Sequence, residues 1–175
     1  MTSSRITSRR DSLALLSSLP AIGLVPADAV AQRQMPSRPI PSSKELLPIV
    51  GLGSSKVVDE TAKHGLDPLR QVLRALAAHG GRVVDTWPRN AANDSRFGEV
   101  IGEPDLRGLF VTTKIDRVGK DAGIAQFRET QKLYGRKPID LVQIFSLTDL
   151  DVHWPSLRAW KDGGEARYIG VTVSE

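Results

Sequence analysis

Residues 109–145 read LFVTTKIDRVGKDAGIAQFRETQKLYGRKPIDLVQIF, and the reading of this stretch decides the fold. Leu109 to Thr113 is a short run of apolar and β-branched residues that ends in a single cation, Lys114. Ile124, Phe127 and Leu133 then recur at helical spacing, which predicts a helix from about Ala122 to Tyr134 with Gly135 at its exit. Leu141 to Phe145 returns to a short apolar run of strand character. A strand, an amphipathic helix and a second strand in this order form a βαβ unit, so the two strands should be parallel with a right-handed crossover.

The same alternation extends outward in both directions. Toward the N-terminus, Ile49-Val50-Gly51-Leu52-Gly53 is an apolar run closed by glycine. Asp67-Pro68 reads as an N-cap with proline in the first helical position, and Leu69, Val72, Leu73, Leu76 and Ala77 line one helical face before Gly80-Gly81. Val83-Val84-Asp85 is the second strand, followed by Asn93 or Asp94 as the cap of a short helix through Val100-Ile101. Toward the C-terminus, Trp154, Leu157 and Trp160 give the buried face of a helix stopped by Gly163-Gly164, and Tyr168 to Val173 is the fifth strand. Strand and helix alternate throughout, so the fold class is α/β with a parallel sheet of about five βα units. The first and fifth strands would be its edges, and open edges invite self-association.

The N-terminal segment has a different character. Arg5, Arg9 and Arg10 precede a mostly apolar run from Ser12 to Val25, and small residues follow in Ala27-Asp28-Ala29-Val30-Ala31. The pattern reads as the n-region, h-region and cleavage site of a signal peptide over residues 1–31, and Arg9-Arg10 resembles a twin-arginine signal; an Arg- and Ser-rich organelle transit peptide is the other reading. The apolar run is shorter than the roughly twenty residues a membrane span needs, so the segment should be removed and leave no membrane anchor. The expected location is periplasmic or exported. Residues 32–45 hold Pro36, Pro39 and Pro41 and read as an extended linker, leaving 46–175 as the folded body. The end at Val173-Ser174-Glu175, with no helix after the last strand, reads as truncation of a longer fold.

Composition limits the chemistry. The 175 residues carry 24 Lys and Arg against 20 Asp and Glu, a surplus spread too thinly for a nucleic-acid footprint. There is no cysteine, which removes disulfide, thiolate and Cys-zinc chemistry, and the three histidines His64, His79 and His153 are too scattered to suggest a metal site. Gly51-Leu52-Gly53 lacks the third glycine of a dinucleotide fingerprint. His153 falls in the loop after the fourth strand and reads as solvated, and Lys132, Arg136 and Lys137 read as a solvated cluster at a helix end. In parallel α/β folds the chemistry gathers at the carboxyl ends of strands, where Asp85 and Lys114 both fall. Side by side, the carboxylate would hold the ammonium, and the ammonium could polarise an oxygen in the cleft. A structural ion pair is the other reading.

Five segments in order, Leu47-Pro48-Ile49-Val50-Gly51-Leu52-Gly53, Val84-Asp85-Thr86, Val111-Thr112-Thr113-Lys114, Ile139-Asp140-Leu141-Val142-Gln143-Ile144 and Ala166-Arg167-Tyr168-Ile169-Gly170-Val171-Thr172, together resemble the aldo-keto reductase family. The resemblance implies part of an eight-stranded (β/α)8 TIM barrel that binds NADPH and passes hydride to a small-molecule carbonyl substrate. By the same resemblance, Asp85 and Lys114 match the family's aspartate and lysine, Asn90 stands where its proton-donating tyrosine is expected, and Phe145 stands where its histidine is expected. An amide cannot deliver a proton and phenylalanine cannot donate at all, so catalysis should be impaired or absent. Gly53, Ser54 and Ser174 match positions near the cofactor, with Glu175 where the family has asparagine. The alternative is a non-catalytic binding or assembly module on the same scaffold.

Overall fold

The computed structural model describes residues 35–53 and 55–173. Residues 1–34, Ser54, Ser174 and Glu175 lie outside the described residues, and with them the expected signal segment and two of the expected cofactor positions. The body begins with a hairpin, β1 (Ser37–Pro39) and β2 (Leu46–Pro48), and continues as β3 (Gly51–Gly53), α1 (Lys56–His64), α2 (Asp67–Ala78), β4 (Val83–Asp85) and α3 (Ala91–Ile101). It then runs through β5 (Phe110–Ile115), α4 (Lys120–Tyr134), β6 (Ile139–Phe145), α5 (Leu150–Asp162) and β7 (Ala166–Thr172).

Strands β3 to β7 form one sheet in sequential order, every neighbouring pair parallel. Sequential order with crossovers of one hand places all helices on the same face and leaves the other face concave, which is how a (β/α) barrel is wound. The helix face carries the core. Val84, Val111, Ile115, Val142 and Ile144 from the strands are buried against Leu73, Phe97, Phe127, Leu157 and Trp160 from the helices. Phe127 and Trp160 stack with ring centroids 3.9 Å apart, and Phe97 meets Tyr134 edge-on at 5.0 Å. Helices α3 and α4 cross at Gly98, where a Cβ would lie 1.9 Å from the Leu133 carbonyl oxygen, so only glycine permits this approach.

The expected strands all form, and the first and fifth of them, β3 and β7, are the sheet edges. Several local readings change. Residues 56–64 form a helix that the apolar pattern does not announce, because its buried face consists of only Val58 and Thr61. Helix α2 starts one residue earlier than expected, with Leu66 as N-cap and Asp67 already in its first turn. Asn90, rather than Asn93 or Asp94, caps α3, its Oδ1 accepting from the Asn93 amide at 3.0 Å. Lys114 lies one residue inside β5 rather than at its end.

Within the proline-rich stretch β1 is paired, Arg38 lying opposite Leu47 and Pro39 opposite Leu46, and residues 41–43 turn. Proline is tolerated here because a two-stranded ribbon consists only of edges. The hairpin is fastened to the amino ends of the strands by Glu45. Its carboxylate accepts from Arg82 Nη2 at 2.7 Å, just before β4, from the Tyr168 hydroxyl at 2.7 Å and from Arg167 in β7.

Candidate active site at the carboxyl end of the sheet

Alternation along β5 sends Val111, Thr113 and Ile115 toward the helices and leaves Thr112 and Lys114 to the opposite face. The register pairs Asp85 of β4 with Thr112, which brings Lys114 one step further toward the carboxyl end. There Lys114 Nζ donates to Asp85 Oδ1 at 2.7 Å and to the Thr86 carbonyl at 3.0 Å. Thr112 Oγ1 donates to the same aspartate oxygen. The two partners differ in access: the lysine side chain is 9% exposed and that of Asp85 is 46%. The expected pair is thus formed. Its third member, Thr112, went unremarked in the sequence, although strict alternation in Val111-Thr112-Thr113-Lys114 sets it on the face of the lysine.

Gly53 pairs in register with Asp85, so β3 brings this glycine beside the acid. A Cβ there would meet nothing within 4 Å. Packing within the chain therefore does not require glycine at 53; the position is open backbone. Asn90 is exposed and its side-chain oxygen is committed to capping α3. It borders a cleft of about 370 Å³ between α3 and α4, together with Arg89, Asp94, Arg117, Gln126 and Glu129. Phe145, the last residue of β6, packs on Trp87 with ring centroids 4.2 Å apart. Trp87 Nε1 in turn donates to Asp116 Oδ2 at 2.8 Å.

Two readings are corrected here. His153 is not in a solvated loop but in α5, 1% exposed, as one of the inward positions His153, Ser156, Leu157 and Trp160. Its Nε2 lies 2.6 Å from the Arg117 carbonyl, and its ring fills the space where a Cβ on Gly123 would lie 2.4 Å from Cε1. The helical spacing of 153, 156, 157 and 160 was the available signal, masked by reading Trp154 as part of the buried face; Trp154 is only half-buried. Arg136 is likewise not solvated. Its guanidinium donates to the carbonyls of Leu109, Ile101, Arg107 and Leu106 at 2.8 to 3.3 Å, and burial disfavours its charge.

The tyrosines and histidines can be followed one by one, since the chain has two of the first and three of the second. Tyr134 is 1% exposed in the helix layer, and burial pushes its phenol well above the ordinary range. Tyr168 is tied to Glu45 and Ser43 at the hairpin. His64 pairs with Glu60 on α1, His79 ends α2, and His153 is engaged as described. None of them is a hydrogen-bond partner of the Asp85–Lys114 pair.

Behind the sheet, Asp94 is 4% exposed and accepts from the Arg89 amide at 3.0 and 3.2 Å. Burial, reinforced by the carboxylates of Asp59 and Glu129, raises its pKa from 3.8 to about 6 against the pull of the Arg89 N–H.

No family model and no curated protein matches the chain. Solved structures do. An aldo-keto reductase of Bacillus halodurans in its holo form superposes with a TM-score of 0.65 at 18% identity, covering 79% of this chain and 50% of that one. An aldo-keto reductase of Klebsiella pneumoniae in complex with NADPH gives 0.63 at 21% identity over 73% and 46%. One of Bombyx mori in complex with NADP gives 0.58 at 25% identity over 79% and 50%. The fold is that of the aldo-keto reductases. The chain spans about half the length of these aldo-keto reductase structures and carries part of their barrel.

Proposed function

We propose that this chain is an aldo-keto-reductase-type module that binds NADPH at the carboxyl end of its sheet and whose carbonyl reduction is impaired or lost. The observation that carries the reading is the Asp85–Lys114 pair at 2.7 Å with neither a tyrosine nor a histidine joined to it. NADPH, when bound, supplies hydride. The residues available to hold it are Gly53, whose open backbone beside Asp85 fits the close approach of a flat group, together with Ser54 and Ser174 by resemblance. Lys114, held by Asp85, contributes positive potential at the mouth without a direct contact to the reacting oxygen. Proton delivery is the missing step: Asn90 has no acidic proton and is occupied as a cap, and Phe145 is stacked on Trp87. General acid catalysis is worth about 10² to 10⁴-fold, so turnover of a test aldehyde should fall short of an intact site by about that factor.

The proposal extends to location and assembly. The resemblance of residues 1–31 to a signal peptide supports export, and the edge positions of β3 and β7 support pairing between copies.

The test is a titration of the purified chain followed by NADPH fluorescence, with aldehyde turnover measured alongside. Saturable enhancement with turnover close to background is expected, both for the natural chain and for Asn90→Tyr combined with Phe145→His. No enhancement would leave a non-catalytic module that does not bind the cofactor. Ready turnover by the double variant would show that the donor alone was lacking.

A further inference from the structure

The mouth of the sheet is crossed by a continuous set of contacts. Trp87 leaves the end of β4, passes the end of β5, where Asp116 holds its Nε1, and lands on Phe145 of β6. Asp116 is itself fixed by Gln126, whose Nε2 donates to its Oδ1 at 2.8 Å and whose Oε1 accepts from its amide at 3.1 Å. Toward the other side, the Arg89 guanidinium lies 5.8 Å from the Trp87 ring centroid and donates through Nε to Asp59 Oδ2 of α1 at 2.7 Å. The indole is thus held by an aromatic ring, a guanidinium and a carboxylate.

Lys114 lies on β5, the strand that this set of contacts bridges. Of the two groups in the ion pair, the one on the bridged strand is 9% exposed and the one beside it is 46% exposed. The ion pair does not explain this asymmetry, because both partners share it. The geometry points to Trp87 as an access-controlling residue: with Phe145 it forms a strap across the mouth that closes the approach to Lys114 while leaving Asp85 open. The resulting site admits ligands that approach along Asp85 and excludes those that need direct contact with the lysine. The strap is independent of the cofactor proposal, because it concerns what shields an amine and is read without any ligand.

Acylation of lysines in the intact chain by an acetyl N-hydroxysuccinimide ester, followed residue by residue by mass spectrometry, tests it. Lys63 and Lys137 serve as internal references, being ion-paired like Lys114 but 67% and 66% exposed. In the natural chain Lys114 should react more slowly than both; equal rates would overturn the proposal. Trp87→Ala should accelerate Lys114 by about tenfold and leave the references unchanged. Asp85→Asn breaks the ion pair but keeps the stack, and should accelerate Lys114 less than Trp87→Ala does. An acceleration in Asp85→Asn as large as that in Trp87→Ala, or none in Trp87→Ala, would show that the strap does not control access. If Trp87→Ala speeds all three lysines together, the variant has unfolded, and Phe145→Ala, which removes the other half of the stack, decides by the same two comparisons.

Discussion

At the amino end of the sheet the charged groups are saturated with partners, whereas at the carboxyl end they are held but left partly open. Glu45 takes two arginines and a tyrosine and ties the hairpin to β4 and β7, and Arg136 spends its guanidinium on four carbonyls. At the other end Asp85 receives Lys114 and Thr112 on one oxygen and keeps nearly half its side chain in solvent. Both ends use the same chemical groups. The difference teaches that saturation serves stability, because no donor or acceptor is left to bind anything else, whereas an open carboxylate beside a fixed cation retains capacity for a ligand.

The largest effect expected from breaking this contrast comes from Arg136→Met. Removing the guanidinium takes a donor from the carbonyls of Ile101, Leu106, Arg107 and Leu109, while Asp140 keeps Arg167 and the Val111 amide, and should cost about 3 kcal/mol in urea unfolding. Next is the pH dependence contributed by Asp94. Its folded pKa is raised, so the folded state holds the proton more tightly than the unfolded chain; this contribution is complete below about pH 4 and is lost as pH rises through about 6. The loss should be about 2 kcal/mol and should vanish in Asp94→Asn, measured as the difference in urea midpoints between pH 4 and pH 7. The smallest effect belongs to the mouth. Lys114→Met leaves Asp85 free to hydrate but takes a donor from the Thr86 carbonyl, and should cost about 1 kcal/mol by the same titration. A cost equal to that of Arg136→Met would make the mouth a structural knot like the amino end.

Much of the fold was legible because it rests on local periodicity. The β-branched runs at 110–115 and 139–145, and the helical spacing between them, do not depend on what they pack against. Helix α1 was missed for the converse reason: only two of its residues are buried, so it carries little apolar signal. At the candidate site, Asp85 and Lys114 stood out as charges at the ends of apolar runs. His153 and Arg136 did not, since each looks like an ordinary polar residue near a helix terminus until the neighbouring element closes over it.

The sequence by itself determined the order of strands and helices, their parallel arrangement and the absence of acid chemistry at positions 90 and 145, since these follow from spacing and from the functional groups each side chain carries. Only the tertiary structure decided that Lys114 meets Asp85 and Thr86 and that Trp87 reaches Phe145 across an intervening strand. It also decided that the two tyrosines are spent in the helix layer and on the hairpin. Register and packing join residues distant in the chain, and no local property of those residues specifies which of them will meet.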